Sequence, residues 1–133
     1  MGRKHFLVTL RLLPQTLGLG SGRDMALLKG TLDVLVLKAL CWGPMHGFEI
    51  TSWLEERSGG RIEVVDAALL QALHRMEERG LIVAEWGITK NSRRARYYQL
   101  TEAGQARLRE ESAALVDHVN AITTILTARR AKS

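Results

Sequence analysis

The sequence predicts a mainly α-helical fold with a small β-hairpin near its end and one long final helix. Three observations lead there. Apolar residues recur at helical spacing in three successive segments, a cationic stretch at 87–100 separates two strand-like runs, and residues 101–127 hold few helix breakers. The length of 133 residues fits one domain with a helical appendage, and 46% hydrophobic residues are enough to build a core.

The first helix is expected over Leu27–Trp42, with Thr31 and Asp33 near its start. Leu28, Leu32, Leu35, Val36, Ala39 and Leu40 form one apolar face, yet Val34 and Leu37 make the other side apolar too. Such a helix must be covered on more than one side, and in so small a domain a second subunit is a natural cover. Gly43-Pro44 stops it, and Met45-His46-Gly47 reads as a short connection. A second helix is expected over 47–57, with Phe48, Ile50, Trp53 and Leu54 facing inward and Ser58-Gly59-Gly60 ending it. The alternation of Arg61-Ile62-Glu63-Val64 suits a very short strand.

Asp66 is the expected N-cap of a third helix reaching Arg79 and closed by Gly80. Leu69, Ala72, Leu73 and Met76 make its core stripe, leaving Ala67, Gln71, His74, Arg75 and Glu78 on the opposite face. Strands follow at about 81–87 and 95–100. The turn region between Gly87 and Leu100 carries Lys90, Arg93, Arg94 and Arg96 and no acid. Thr101 then caps the final helix, which runs to about Thr127. Within it Leu108, Leu115, Val119, Ile122 and Leu126 form a seam of coiled-coil type, which predicts a helical partner.

Charge and cysteine usage narrow the function. The net charge is +5, and more than half of that excess lies in residues 1–24, so the basic hairpin tip is a local concentration that points to a polyanion. The lone Cys41 excludes an internal disulfide and reads as a small buried hydrophobe, in keeping with a cytoplasmic setting. No apolar run is long enough to span a membrane. Residues 1–24 imitate a signal peptide at Arg3-Lys4-His5-Phe6-Leu7-Val8, but Arg11 and Pro14 interrupt it, so they are read as a disordered extension. A targeting segment is the competing reading, and residues 128–133 form a basic tail. The four histidines lack metal-ligand spacing, and no serine, cysteine or histidine constellation suits catalysis, so neither an enzyme nor a cofactor is expected.

The order helix, helix, helix, hairpin, helix is that of a winged helix-turn-helix at 25–100 followed by a dimerisation helix at 101–127. In that arrangement the third helix enters the major groove of double-stranded DNA and the hairpin tip positions the protein on the phosphate backbone. The residues also resemble a known family. Leu28-Lys29-Gly30-Thr31-Leu32-Asp33, Gly43-Pro44-Met45-His46-Gly47, Ala72-Leu73-His74-Arg75-Met76-Glu77-Glu78-Arg79-Gly80-Leu81-Ile82, Ala84-Glu85-Trp86-Gly87 and Arg93-Arg94-Ala95-Arg96-Tyr97-Tyr98-Gln99-Leu100-Thr101-Glu102-Ala103-Gly104 look like the PadR family of bacterial transcriptional regulators. The likeness covers roughly residues 26–127 and is greatest to the short type with a single C-terminal dimerisation helix. It implies a homodimeric repressor of an operator, often released by a small-molecule effector.

The resemblance breaks at the start of the third helix. Where the family typically carries serine, tyrosine and proline, this chain has Ala68, Leu70 and Gln71. Two hydroxyl donors to phosphate are thereby lost, whereas the Gln71 amide can pair bidentately with adenine. The expected DNA contacts are Gln71, His74 and Arg75 from the helix and Lys90, Arg93, Arg94 and Arg96 from the wing. Arg75 could instead pair with Glu77 or Glu78. Trp42, Trp53 and Trp86 are candidates for an effector pocket, with core packing favoured for Trp53. The alternative to an operator-binding repressor is a dimeric interaction or sensing module that keeps the fold and has lost sequence recognition.

Overall fold

Four helices and a three-stranded antiparallel sheet make up the described chain, residues 22–131 of a computed structural model, with side chains described from residue 30 onward. Helix α1 spans Gly22–Ala39 and tightens into a 3-10 turn at Leu40–Trp42. It therefore begins before the expected Leu27 and takes in residues 22–24, which the sequence places in the extension; the rest of that extension, residues 1–21, lies outside the described residues. Val34, Val36 and Leu37 are all buried, as the two-sided apolar pattern demands. Gly43 closes the turn at a φ of 127°, a conformation that suits glycine. Cys41 is exposed here, which corrects the buried reading: the 3-10 turn leaves the α-helical period and rotates it off the core face.

Met45–His46 is not a plain connection. It forms strand β1, pairing Met45 with Tyr98 and His46 with Tyr97. His46 also starts helix α2, Gly47–Arg57: its Nδ1 accepts from the Glu49 amide at 3.2 Å, and the Glu49 carboxylate accepts from the His46 amide at 3.1 Å. This reciprocal box satisfies two backbone donors that the helix start would otherwise orphan. Ile50 and Leu54 enter the core and Trp53 packs against it, but Phe48 is turned outward.

Residues 61–65 carry no strand, contrary to the expectation for 61–64. The segment crosses between helices with Val64 buried and Ile62 outward. Burial, and then the neighbouring Glu55 charge, raise the Glu63 carboxyl above its ordinary range.

Helix α3, Asp66–Glu78, buries Leu69, Ala72, Leu73 and Met76. Its N-cap is Val65, with no side-chain cap bond, so Asp66 is the first helical residue rather than the cap. There its carboxylate still faces the positive end of the helix dipole. Gly80 at a φ of 74° reverses the chain, and the Leu81 amide donates back to the Met76 carbonyl at 2.9 Å. Strand β2, Ile82–Ile88, and strand β3, Arg94–Leu100, form the hairpin, giving the sheet order β1-β3-β2.

Helix α4 runs over Glu102–Leu126, capped by Thr101, whose hydroxyl accepts from the Gly104 amide at 3.0 Å and donates to the Gly80 carbonyl at 2.7 Å. Among the described residues its N-terminal half, as far as Leu115, packs on the domain. Leu108 is 7% exposed and belongs to this subunit's own core, which corrects its placement in the partner seam. Leu115 marks the edge of that core. Beyond it Val116, Val119, Ile122, Ile125 and Leu126 are exposed, Leu126 to 78%. No described helix is long and apolar enough to cross a membrane.

Candidate nucleic-acid interface

Antiparallel pairing fixes which side chains share a face of the hairpin. Trp86 pairs with Arg96 and Ile88 with Arg94, so all four lie on the face that holds Ile82 and Tyr98 in the core lower down. Past the end of that core the same face is open, and Arg94 lies over the Trp86 ring with its guanidinium carbon 4.6 Å from the centroid. Trp86 is therefore a platform for a wing arginine, a role that stacking makes favourable without blocking the outward N–H edges. The tip itself is drawn tight by the Thr89 amide donating to the Arg93 carbonyl at 2.8 Å, with Ser92 at a φ of 61°.

On its outer face α3 presents Ala67, Leu70, Gln71 and His74, all exposed, and of these Leu70 borders the wing. His74 Nε2 lies 3.6 Å from a Glu78 carboxylate oxygen, and both side chains are mostly in solvent. Between α3, the start of α2 and the wing is an open hollow of about 600 Å³ whose walls include Phe48, Leu70, Arg93, Arg94, Arg96 and Tyr98.

The seven expected DNA-contacting residues do not share one state. Lys90, Arg93 and Arg94 are exposed and form no ion pair among the described residues. Arg75 does: its guanidinium donates to the Asp33 carboxylate at 2.7 Å, with both side chains less than a quarter exposed. The pairing with Glu77 or Glu78 is thereby corrected to Asp33, which answers the charge expected to reach phosphate. Breaking a pair held this far from water is costly, so Arg75 ties α3 to α1. Arg96 donates to Glu77 at 2.9 Å and lies near the Tyr98 ring, which anchors the wing to α3. It stays partly exposed, with its charge largely answered.

Three contributors were missed by sequence reasoning. His46 sets the start of α2 against the sheet, its ring meeting Tyr97 edge-on at 5.3 Å between centroids. The Glu three residues after it was a readable capping signal. Leu70 and Phe48 bring apolar surface to a cationic face, and for that the sequence offers no local sign. Trp42 is exposed, with Arg57 6.0 Å from its ring and 5.5 Å from that of Trp53. Among the described residues no group of three histidine, cysteine or acidic side chains could hold a metal ion.

The model of the transcriptional regulator PadR-like family matches residues 36–110, more than half of the chain. The chain belongs to this family. Its motifs run through the 3-10 turn, β1, both central helices and the wing, the same elements that build the face just described. Solved PadR-like structures share the architecture. A transcriptional regulator from Clostridium thermocellum superposes with a TM-score of 0.67 at 21% identity, over 74% of this chain and 96% of that one. A PadR-like transcriptional regulator from Bacillus cereus gives 0.66 at 20% identity, over 78% and 99%. PadR of Bacillus subtilis, solved in complex with operator DNA, gives 0.54 at 19% identity and is the longer protein, this chain covering 51% of it. At these identities the likeness establishes the winged-helix fold of a PadR-like regulator.

Proposed function

We propose that this PadR-like regulator is a cytoplasmic homodimeric repressor that sets α3 in the major groove of an operator and lays its wing on the flanking backbone. The observation that carries this reading is the juxtaposition of an open α3 face with three unpaired wing cations, Lys90, Arg93 and Arg94. That the Bacillus subtilis PadR was solved in complex with operator DNA supports DNA as the partner. Gln71 and His74 supply the polar groups for base edges, and the wing cations neutralise phosphates. The exposed stripe Val119, Ile122 and Leu126, widened by Val116 and Ile125 and edged by Leu115, is the proposed dimer seam. Two half-sites about 10–10.5 base pairs apart, or a multiple of that, would match the two-fold axis. Release by a small-molecule effector belongs to this reading, with no residue assigned to it.

Selection of bound genomic fragments tests the proposal. A repressor should prefer its selected site over random duplex by at least roughly 10³-fold at physiological salt. The second reading, a module that has lost operator recognition, is favoured by Ala68 and Leu70 standing where the family carries hydroxyls; it requires weak, uniform, salt-labile binding instead.

The wing makes a separate prediction. Alanine at both Arg93 and Arg94 should weaken binding to every sequence alike, because phosphate contacts carry no sequence information. Each lost contact removes about 0.9 from the slope of log K against log salt, so a dimer losing all four arginines drops by about 3.6. Anisotropy titrations at several salt concentrations measure this. An unchanged slope would remove the wing from the interface.

A further inference from the structure

Leucine is out of place on a surface made for phosphate. Leu70 is 60% exposed and Phe48 55%, and both line the hollow between α3 and the cationic wing. Ala67, Leu70, Gln71 and His74 lie at helical spacings of three and four residues, so they form one continuous strip along the outer face of α3. The strip lies in the N-terminal two-thirds of the helix, the part that a recognition helix inserts most deeply. Two of its four side chains can neither donate nor accept a hydrogen bond.

The major groove offers one apolar group, the C5 methyl of thymine. Apart from the smaller C5–H of cytosine, the base-edge groups that tell pairs apart there are donors or acceptors, and pressing a leucine against one strips its water without replacement. An apolar strip on a recognition helix thus discriminates twice, gaining from a methyl group and losing against polar edges.

We propose that Leu70, with Ala67 beside it, reads a thymine methyl in each operator half-site, next to the base pair met by Gln71. This deepens the operator-binding reading and rests on it. Because a glutamine amide matches adenine, the half-site should hold two neighbouring A·T pairs under the middle of α3.

The test uses the full chain and the operator recovered by selection. Each thymine is replaced in turn by deoxyuridine, which deletes the methyl and keeps the base pairing. For the unaltered protein, one position per half-site should lose roughly fourfold in Kd, the worth of one buried methyl group. L70A should bind the thymine duplex more weakly and show no difference between thymine and uracil at that position. The deoxyuridine scan on the unaltered protein needs no folded variant, so it decides the matter even if L70A is unstable. A flat scan against a selected operator overturns the Leu70 proposal and leaves operator binding standing, and so does an L70A protein that keeps the full uracil penalty. Failure to enrich any sequence overturns both.

Discussion

A chain with aspartate at both Val119 and Ile122 is expected to behave as a monomer at micromolar concentration and to lose about 10²–10⁴-fold in operator affinity. Both positions lie in α4 beyond the part that joins the core, and both are exposed among the described residues. In an isolated subunit the change therefore stays within about half a kcal/mol, as for other surface substitutions. At a helix–helix seam the same aspartates would be buried without partners, at a cost of several kcal/mol each. The affinity loss follows because a dimer binds its second half-site from a tethered state, whereas monomers bind each half-site independently. Light scattering coupled to gel filtration reads the first effect and anisotropy titration the second. The distal part of α4 should also lose some helicity, since a lone amphipathic helix is marginal in water. A variant that stays dimeric would move the interface elsewhere, and a monomer binding with undiminished affinity would separate DNA recognition from dimerisation.

How far the sequence carries depends on whether the deciding contact is local. The third helix was readable because Leu69, Ala72, Leu73 and Met76 recur at helical spacing and Gly80 ends the pattern within one turn. The wing was readable because its charge is concentrated and its flanks alternate. What escaped depends on partners far along the chain. Arg75 meets Asp33 across 42 residues and Arg96 meets Glu77 across 19, and no periodicity announces either pair. Strand β1 is two residues long, too short for a pattern, and exists because β3 offers it an edge. Leu108 shows a subtler limit. One apolar stripe on α4 serves this subunit's core at one end and stands exposed at the other, and spacing alone cannot show where the change occurs.

The same dependence on distant contacts makes Gly104→Ala the second large effect. By helix propensity alone the change should stabilise α4 by up to about 1 kcal/mol. The fold predicts the reverse. Gly104 lies in the first turn of α4, and a Cβ built on it would fall on the Leu81 carbonyl oxygen and come within 3.1 Å of Leu100 Cδ2. That carbonyl cannot retreat cheaply. It accepts from the Thr101 amide at 3.1 Å, and the same residue's amide donates to Met76, closing α3 behind the left-handed Gly80. Relief requires α4 to lift from the junction of α3 and β2, which breaks the Thr101 hydroxyl's bond to the Gly80 carbonyl and the Thr101 amide's bond to the Leu81 carbonyl. Overpacking of this kind costs about 1–3 kcal/mol, and the rigid backbone on both sides places this site near the upper end. The thermal unfolding midpoint should therefore fall about 7–11 °C below that of the unaltered chain. Because α4 also carries the proposed seam, the variant should dimerise more weakly although every seam residue is intact. An alanine variant as stable as the parent, or more so, would mean that α4 does not seat against Leu81 and that propensity governs its first turn.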